Sequence, residues 1–347
     1  MNPAPVPESR LAPADALKAV GIVAVLLGHA EGIGVLPRNY LFSFHIPLFF
    51  FVAGLLQKEA SLVRPFPDFV LHHWRRLMVP YFVFGAVAYL PWVLVIRHFG
   101  RDAVLDVPPL QPLLGMLYGV GVKTWLRHDV ALWFFPCLFL THLLFYGLHR
   151  WVSPLPRLGL VLVCGFLGWA WGTHGGLALP WGLGPALAGL VFYGSGFALR
   201  GFRPFVVPQP LPVSLAMAGG GLVVQLAAVV ANGRVDMNTG QYGNPILFYL
   251  GALGGILMWW QVGQILPPWP LIRRISRETV VIFPLHGLVF SALTGVAVLG
   301  LGVPLVARES PVAAFLSTML ALAVLLPVAG WLRHVAPWLF GGKGHRA

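Results

Sequence analysis

The chain has 347 residues, of which 58% are hydrophobic and only 10% are charged, and its mean hydropathy is +0.79. A soluble domain carries about 25% charged residues, so this composition excludes an ordinary soluble fold. The net charge of +12 does not indicate nucleic-acid binding, because the basic residues form short clusters between apolar runs. The two cysteines, Cys137 and Cys164, have the spacing of neither a disulfide framework nor a metal site.

Apolar runs long enough to cross a bilayer recur along the whole chain. They predict about ten transmembrane spans, at residues 16–36, 41–57, 77–96, 131–149, 157–174, 181–199, 211–231, 245–266, 278–300 and 311–332. Each span should be helical, because a helix satisfies its backbone N–H and C=O groups without water. The predicted fold is an all-α polytopic integral membrane bundle, a single transmembrane domain over residues 1–347 with tails at 1–14 and 334–347.

The distribution of basic residues predicts the orientation of these spans. With the N-terminus inside, 16 of the 23 Lys and Arg residues lie on the cytoplasmic side and 7 on the outer side. Cytoplasmic loops collect Lys and Arg, so both termini are predicted to be cytoplasmic. Residues 113–122, an apolar stretch within the outer segment 101–130, are too few to span the membrane and are predicted to be re-entrant or interfacial. Residues 232–244 are predicted to form an outer loop with hydrogen-bonding side chains.

The first span carries ionisable residues, which inside a membrane are functional candidates. Lys18 and His29 are eleven residues apart, so in a helix they share one face at a separation of about 16 Å. Asp15, three residues before Lys18, is placed to pair with it. Histidine takes and gives protons near neutral pH, so His29 is the candidate general base. The alternative is a histidine that only packs against a neighbouring helix.

Further candidates follow along the chain. His45 lies near the outer end of the second span, and His286 is a second intramembrane histidine. A basic cluster precedes the third span, and it is either an anchor to anionic lipid or a phosphate clamp. Its members are His73, Arg75 and Arg76. Polar or aromatic candidates on the outer side are Glu31, Trp133 and Asn244.

Several catalytic motifs are absent from the sequence. It has no Gly-x-x-x-x-Gly-Lys-Ser/Thr loop for ATP, no His-Glu-x-x-His zinc motif and no Gly-x-Ser-x-Gly nucleophile turn. No metal is predicted. Few acidic residues lie within the spans, which disfavours an ion-coupled transporter with a carboxylate relay.

The spacing of Asp15, Lys18 and His29 resembles the basic-x10-His signature of the acyltransferase-3 family. These are membrane-bound O-acyltransferases of the fucose-4-O-acetylase type, which act on bacterial surface glycans. Other segments resemble the family's second, third, fourth, a later and ninth spans, namely residues 44–54, 75–81, 132–136, 243–249 and 283–286. One departure is His73, which stands at the first position of an Arg-x-x-Arg pattern that many members carry.

The resemblance implies a cytoplasmic acetyl-CoA donor and a sugar acceptor at the outer face of a bacterial inner membrane. The expected function is O-acetylation of an exopolysaccharide or its lipid-linked repeat unit, and the expected partners are a glycan or lipid-linked oligosaccharide and membrane lipids, with no nucleic acid. The alternative is a transporter or flippase of a glycan or lipid intermediate. The predicted catalytic residues are His29, Lys18 and Asp15. The predicted donor-binding residues are Arg75, Arg76 and His73, and the predicted acceptor-binding residues are His45, Glu31, Trp133, Asn244 and His286.

Overall fold

The computed structural model describes residues 12–267 and 269–341, and no strand occurs within these ranges. The helices are α1 Ala12–His29, α2 Val35–Leu56, α3 Glu59–Leu62, α4 Phe66–His73, α5 Val79–Leu94, α6 Gly100–Leu105, α7 Leu110–Tyr118, α8 Phe134–Trp151, α9 Pro154–Thr173, α10 Leu183–Leu199, α11 Arg203–Val206, α12 Leu211–Asn232, α13 Pro245–Ile265, α14 Pro270–Arg277, α15 Thr279–Gly295 and α16 Pro311–Val335. A wide π-type turn at Trp74–Met78 joins α4 to α5.

Within the described ranges, nine helical segments are long and apolar enough to cross a membrane. In addition, α1 is 18 residues long, or about 27 Å, and it packs between α2, α13, α14, α15 and α16. These observations confirm the predicted all-α polytopic membrane bundle. The faces of α9 and α16 that look outward are covered with exposed apolar side chains such as Leu162, Phe166 and Phe315, as expected of surfaces in contact with lipid.

Local sequence signals explain where several helices begin. Proline occupies the first turn of α9, α13, α14 and α16, where its missing N–H would have no partner in any case. The Asn244 side chain caps α13 and the Ser310 side chain caps α16. The interior prolines Pro47 and Pro284 stay within α2 and α15, because neighbouring helices stabilise such positions in a membrane.

Some predicted boundaries were wrong. The first helix ends at His29 rather than at residue 36, because Gly32 and Gly34 adopt positive φ angles of 81° and 84° and turn the chain. The helical stretch before the third span begins at Phe66, eleven residues before the predicted start at 77. The predicted tails at 1–14 and 334–347 lie outside the described residues at positions 1–11 and 342–347.

The bundle has two ends that carry different chemistry. We call them the Lys18 end, where α1 begins and α2 and α16 finish, and the His29 end, where α1 finishes and α2 begins. At the Lys18 end, Ser276 donates a 2.6 Å hydrogen bond to Asp15, and Arg333 pairs with the buried Glu278. At the His29 end, the loop of residues 233–244 is closed by paired backbone hydrogen bonds between Asp236 and Gln241.

Candidate active site

Three histidines from three helices converge at the His29 end. The imidazole of His29 lies 5.1 Å from that of His286 and 6.3 Å from that of His45, measured between ring centroids. His45 and His286 are each only 2% exposed, whereas the side chain of His29 is exposed. The structure therefore brings together one predicted catalytic residue and two predicted acceptor-site residues, and His29 is the member of the cluster that a substrate can reach.

Backbone hydrogen bonds fix the tautomer of all three rings. The Nδ1 atoms of His29 and His45 lie 2.8 Å and 2.7 Å from the carbonyl oxygens of Val25 and Leu41, one turn earlier. The Nδ1 atom of His286 bonds to the Phe283 carbonyl in the same way. A carbonyl oxygen only accepts, so each Nδ1 carries the proton and each Nε2 carries the lone pair. The exposed Nε2 of His29 is thus in the form that a general base or a nucleophile requires.

The same hydrogen bonds leave the Nε2 lone pair of each ring without a proton. A free imidazole lone pair can act in proton or acyl transfer. No group of three His, Cys, Asp or Glu side chains within residues 12–267 and 269–341 is arranged to hold a metal ion.

A phenylalanine that the sequence did not single out forms one wall of the cluster. The Phe42 ring lies 5.4 Å from the His29 imidazole and 4.9 Å from the His45 imidazole. A Cβ atom at Gly28 would come within 3.1 Å of the same ring, so the small residue beside His29 allows Phe42 to approach. The sequence pointed to Phe42 only indirectly, through its position one turn before the candidate residue His45 on α2.

Two arginines near His29 were left without a catalytic role by sequence reasoning, namely Arg38 in the first turns of α2 and Arg234 in the loop of residues 233–244. The guanidinium of Arg38 donates a 3.1 Å hydrogen bond to the carbonyl of Ala30, the residue after His29. The guanidinium of Arg234 lies 4.9 Å above the Phe42 ring and pairs with Asp236 at 2.9 Å. All three charged groups interact electrostatically with His29. The polar character of residues 232–244 was the signal that could have found two of them.

The other predicted catalytic residues lie at the opposite end of α1. Asp15 and Lys18 form an ion pair at 3.3 Å. They line a cavity of about 540 Å³ together with Pro270, Arg273, Arg274 and Arg277. Lys18 is eleven residues, or about 16 Å, from His29 along the helix. The structure therefore separates this pair from the histidine cluster, and neither residue touches the proton that His29 would move.

A second basic cavity, of about 390 Å³, opens at the Lys18 end between α2, α4 and α8. Its cationic and polar lining consists of Gln57, Lys58, Ser61, Arg64, His72, His73, Arg76 and His142. Two of the three predicted donor-binding residues, His73 and Arg76, are thus brought together. Arg75, which lies in the π-type turn, is exposed and is not part of this lining.

Sequence reasoning missed a buried hydrogen-bonded chain beside this cavity. The rings of His73 and His142 stack at 3.9 Å. The hydroxyl of Tyr193 donates to the Gln57 side-chain carbonyl at 3.0 Å and lies 2.9 Å from Nδ1 of His142. His142 lies within a predicted span, and that position alone is a functional signal.

One aromatic layer separates the histidine cluster from the basic cavity. Along α2, His45 is followed one turn later by Phe49 and two turns later by Ala53, which lines the cavity. Along α15, His286 is preceded by Phe283 and then by Val280, which also lines the cavity. The Phe49 and Phe283 rings contact each other at 6.0 Å, and both contact Phe134. The eight residues from His45 to Ala53 correspond to about 12 Å.

The remaining predicted acceptor residues lie outside the cluster. Glu31 is exposed and faces Arg308 at 3.7 Å. Trp133 is buried with its ring 6.0 Å from that of Phe134, so it belongs to the aromatic layer. Asn244 accepts hydrogen bonds from the backbone N–H groups of Ile246 and Leu247. Its side-chain oxygen is occupied as the cap of α13, and its predicted role in acceptor binding stays a prediction.

A family model described as an acyltransferase domain matches residues 13–333. The chain belongs to the acyltransferase-3 family. No curated protein and no solved structure matches the chain. The match covers the bundle from the start of α1 to the last turn of α16, and so includes the histidine cluster and both basic cavities. This acyltransferase is therefore a multi-pass membrane enzyme.

Proposed function

We propose that this acyltransferase moves an acetyl group from cytoplasmic acetyl-CoA to a sugar hydroxyl of a bacterial exopolysaccharide or surface glycan, or of its lipid-linked repeat unit. The protein would lie in the inner membrane with the Lys18 end and both termini in the cytoplasm. The observation that carries the proposal is the order of features along α2 and α15. A basic cavity, an aromatic layer and the histidine cluster follow one another over about 12 Å.

The cavity around Arg76 supports the donor half of the proposal. It combines the cationic side chains of Lys58, Arg64 and Arg76 with the apolar side chains of Leu56 and Leu77. Guanidinium groups match phosphate oxygens with paired hydrogen bonds, so this lining fits the phosphate groups of coenzyme A. The acetylated arm would then extend past Phe49 and Phe283 toward His29. Lys18 and Asp15, which lie far from His29, would act at the cytoplasmic mouth and not in proton transfer.

Two routes of transfer fit the fixed tautomer of His29. In the direct route, Nε2 removes the proton of the sugar hydroxyl as its oxygen attacks the thioester carbonyl. The carbon–sulfur bond breaks, and the coenzyme A thiolate takes the proton from the imidazolium. In the covalent route, Nε2 attacks the thioester carbonyl and the carbon–sulfur bond breaks, which gives an acetyl-imidazolium and the coenzyme A thiolate. The hydroxyl oxygen then attacks the acetyl carbon, the carbon–nitrogen bond breaks, and the hydroxyl proton passes to the thiolate. In both routes one thioester is consumed and one ester and one thiol are formed.

Replacement of His29 with Ala should abolish acetyl transfer and leave a folded protein, because the other two histidines of the cluster, His45 and His286, are buried. The measurement is release of coenzyme A by purified protein with a glycan acceptor, together with acetyl analysis of the glycan. His174→Ala is the matched control, since His174 is exposed and lies in a loop beside Trp169. Retention of acetyl transfer by His29→Ala would remove the central residue of the proposal.

A second measurement separates the two routes. Acid quenching of wild-type protein with radiolabelled acetyl-CoA and no acceptor should leave label on the protein only if the acetyl-imidazole forms. Transfer that always requires the acceptor, with no labelled protein, would select the direct route.

Glycan movement across a vesicle membrane without coenzyme A release would instead favour a flippase and overturn the proposed acetylation.

A further inference from the structure

Within the described residues, the charge around His29 is not balanced by the protein itself. Arg234 pairs with Asp236, but no carboxylate lies within ion-pairing distance of Arg38 in residues 12–267 and 269–341. The Nε atom of Arg38 is buried and has no hydrogen-bond partner there. A buried donor left unpaired destabilises the protein, because it has lost its hydrogen bonds to water. An arginine in this condition beside an exposed catalytic side chain indicates an anion supplied from outside the protein.

Both guanidinium groups are held in place by residues next to His29. Arg38 is tied to the Ala30 carbonyl, next in the chain to His29. Arg234 rests on the Phe42 ring, which itself contacts His29. The loop that carries Arg234 is anchored by the backbone pairing of Asp236 with Gln241 and by a hydrogen bond from Asn238 to the Gly121 carbonyl.

We infer that Arg38 and Arg234 form an anion-binding subsite beside His29, so that the acceptor carries a carboxylate or phosphate group near the hydroxyl to be acetylated. This inference rests on the proposed function for the identity of the acceptor as a glycan. Arginine pairs with carboxylates and phosphates alike through two parallel N–H···O bonds, so the subsite accepts either anion. The acceptor could supply the anion as a sugar carboxylate or as the diphosphate of a lipid-linked sugar.

The test is a binding measurement on the purified full chain without donor. Three probes are compared: an oligosaccharide containing glucuronate, the same oligosaccharide with that carboxyl group reduced, and the reduced oligosaccharide linked to a polyprenyl diphosphate. Wild-type protein should bind at least one of the two anionic probes about tenfold more tightly than the neutral one, as one charge-assisted hydrogen bond would give. The probe that shows the preference identifies the source of the anion.

Variants assign the preference to the two arginines. Arg38→Gln should remove the preference for anionic probes. Arg234→Gln should also remove this preference, and it additionally leaves the Asp236 carboxylate unpaired. Arg38→Lys keeps the positive charge but cannot make the paired hydrogen bonds of a guanidinium group. This variant should keep part of the preference, which distinguishes loss of the subsite from loss of the fold. Arg97→Gln is the matched control, since Arg97 lies at the same end over Trp92 and away from His29.

Two outcomes would overturn the inference. One is equal affinity of wild-type protein for all three probes, including no measurable binding of any of them. The other is a preference that survives in both Arg38→Gln and Arg234→Gln. Adding acetyl-CoA afterwards tests the proposed function separately. An intact anion preference without acetyl transfer to any probe would refute the acetyltransferase and leave the subsite standing.

Discussion

His29 and Asn244 show that the role of a single polar residue in this bundle depends on where its hydrogen bonds go. The Nδ1–H group of His29 donates a hydrogen bond to the Val25 carbonyl, which leaves the Nε2 lone pair free. The side-chain oxygen of Asn244 accepts hydrogen bonds from two backbone N–H groups of α13. Both residues were candidates because polar side chains near an apolar span are unusual, and the sequence could not distinguish a residue whose polar atom is free from one whose polar atom is used.

Asn244→Ala should therefore lower stability and leave catalysis unchanged. Loss of a helix cap costs about 1 kcal/mol, so the melting temperature in detergent should fall. Asn244→Asp preserves the cap and should melt close to wild type. The rate of acetyl transfer should be the same in all three proteins. A raised KM for the acceptor in Asn244→Ala, with no change in melting temperature, would instead restore the acceptor-binding role predicted from sequence.

At the scale of elements, the contact between α2 and α10 positions the basic cavity around Arg76. A Cβ atom at Gly54 would overlap the carbonyl oxygen of Tyr193, and one at Gly196 would overlap that of Phe51. Small residues allow two helices in a membrane to approach this closely. The approach aligns Gln57, the residue after the end of α2, with Tyr193 on α10, and their side chains are hydrogen-bonded beside the cavity. The glycines are visible in the sequence, but nothing in the sequence identifies the partner helix.

Gly54→Ala should be strongly destabilising, because the added methyl group meets rigid backbone, and ordinary overpacking alone costs about 1–3 kcal/mol. Gly219→Ala on α12 is the matched control, since its Cβ would meet nothing within 4 Å. Alanine in an open helical position is favoured over glycine by about 0.5–1 kcal/mol. Melting temperatures in detergent should therefore move in opposite directions. Equal melting temperatures for the two variants would contradict the close approach of α2 and α10.

For the whole molecule, hydropathy predicted the number and helical nature of the spans well, because a membrane permits few alternatives to apolar helices. It predicted boundaries less well, since residues 33–36 continue the apolar run although the chain turns at Gly32 and Gly34. The signature residue His29 was found from its spacing to Lys18. Its convergence with His45 and His286 was not derivable, because those residues lie 16 and 257 positions away in the chain and meet only through helix packing.

The orientation of the bundle stays a prediction from charge, and the proposed donor side depends on it. In a background with Cys137 and Cys164 replaced by Ser, Thr239→Cys places one thiol in an exposed loop at the His29 end, and Arg150→Cys places one at the Lys18 end. Because 16 of the 23 Lys and Arg residues lie on the predicted inner side, a membrane-impermeant thiol reagent applied to spheroplasts should label Thr239→Cys at once. It should label Arg150→Cys only after the membrane is opened. The reverse pattern would place the basic cavities outside, where no acetyl-CoA is supplied, and the proposed direction of acetyl transfer would be wrong.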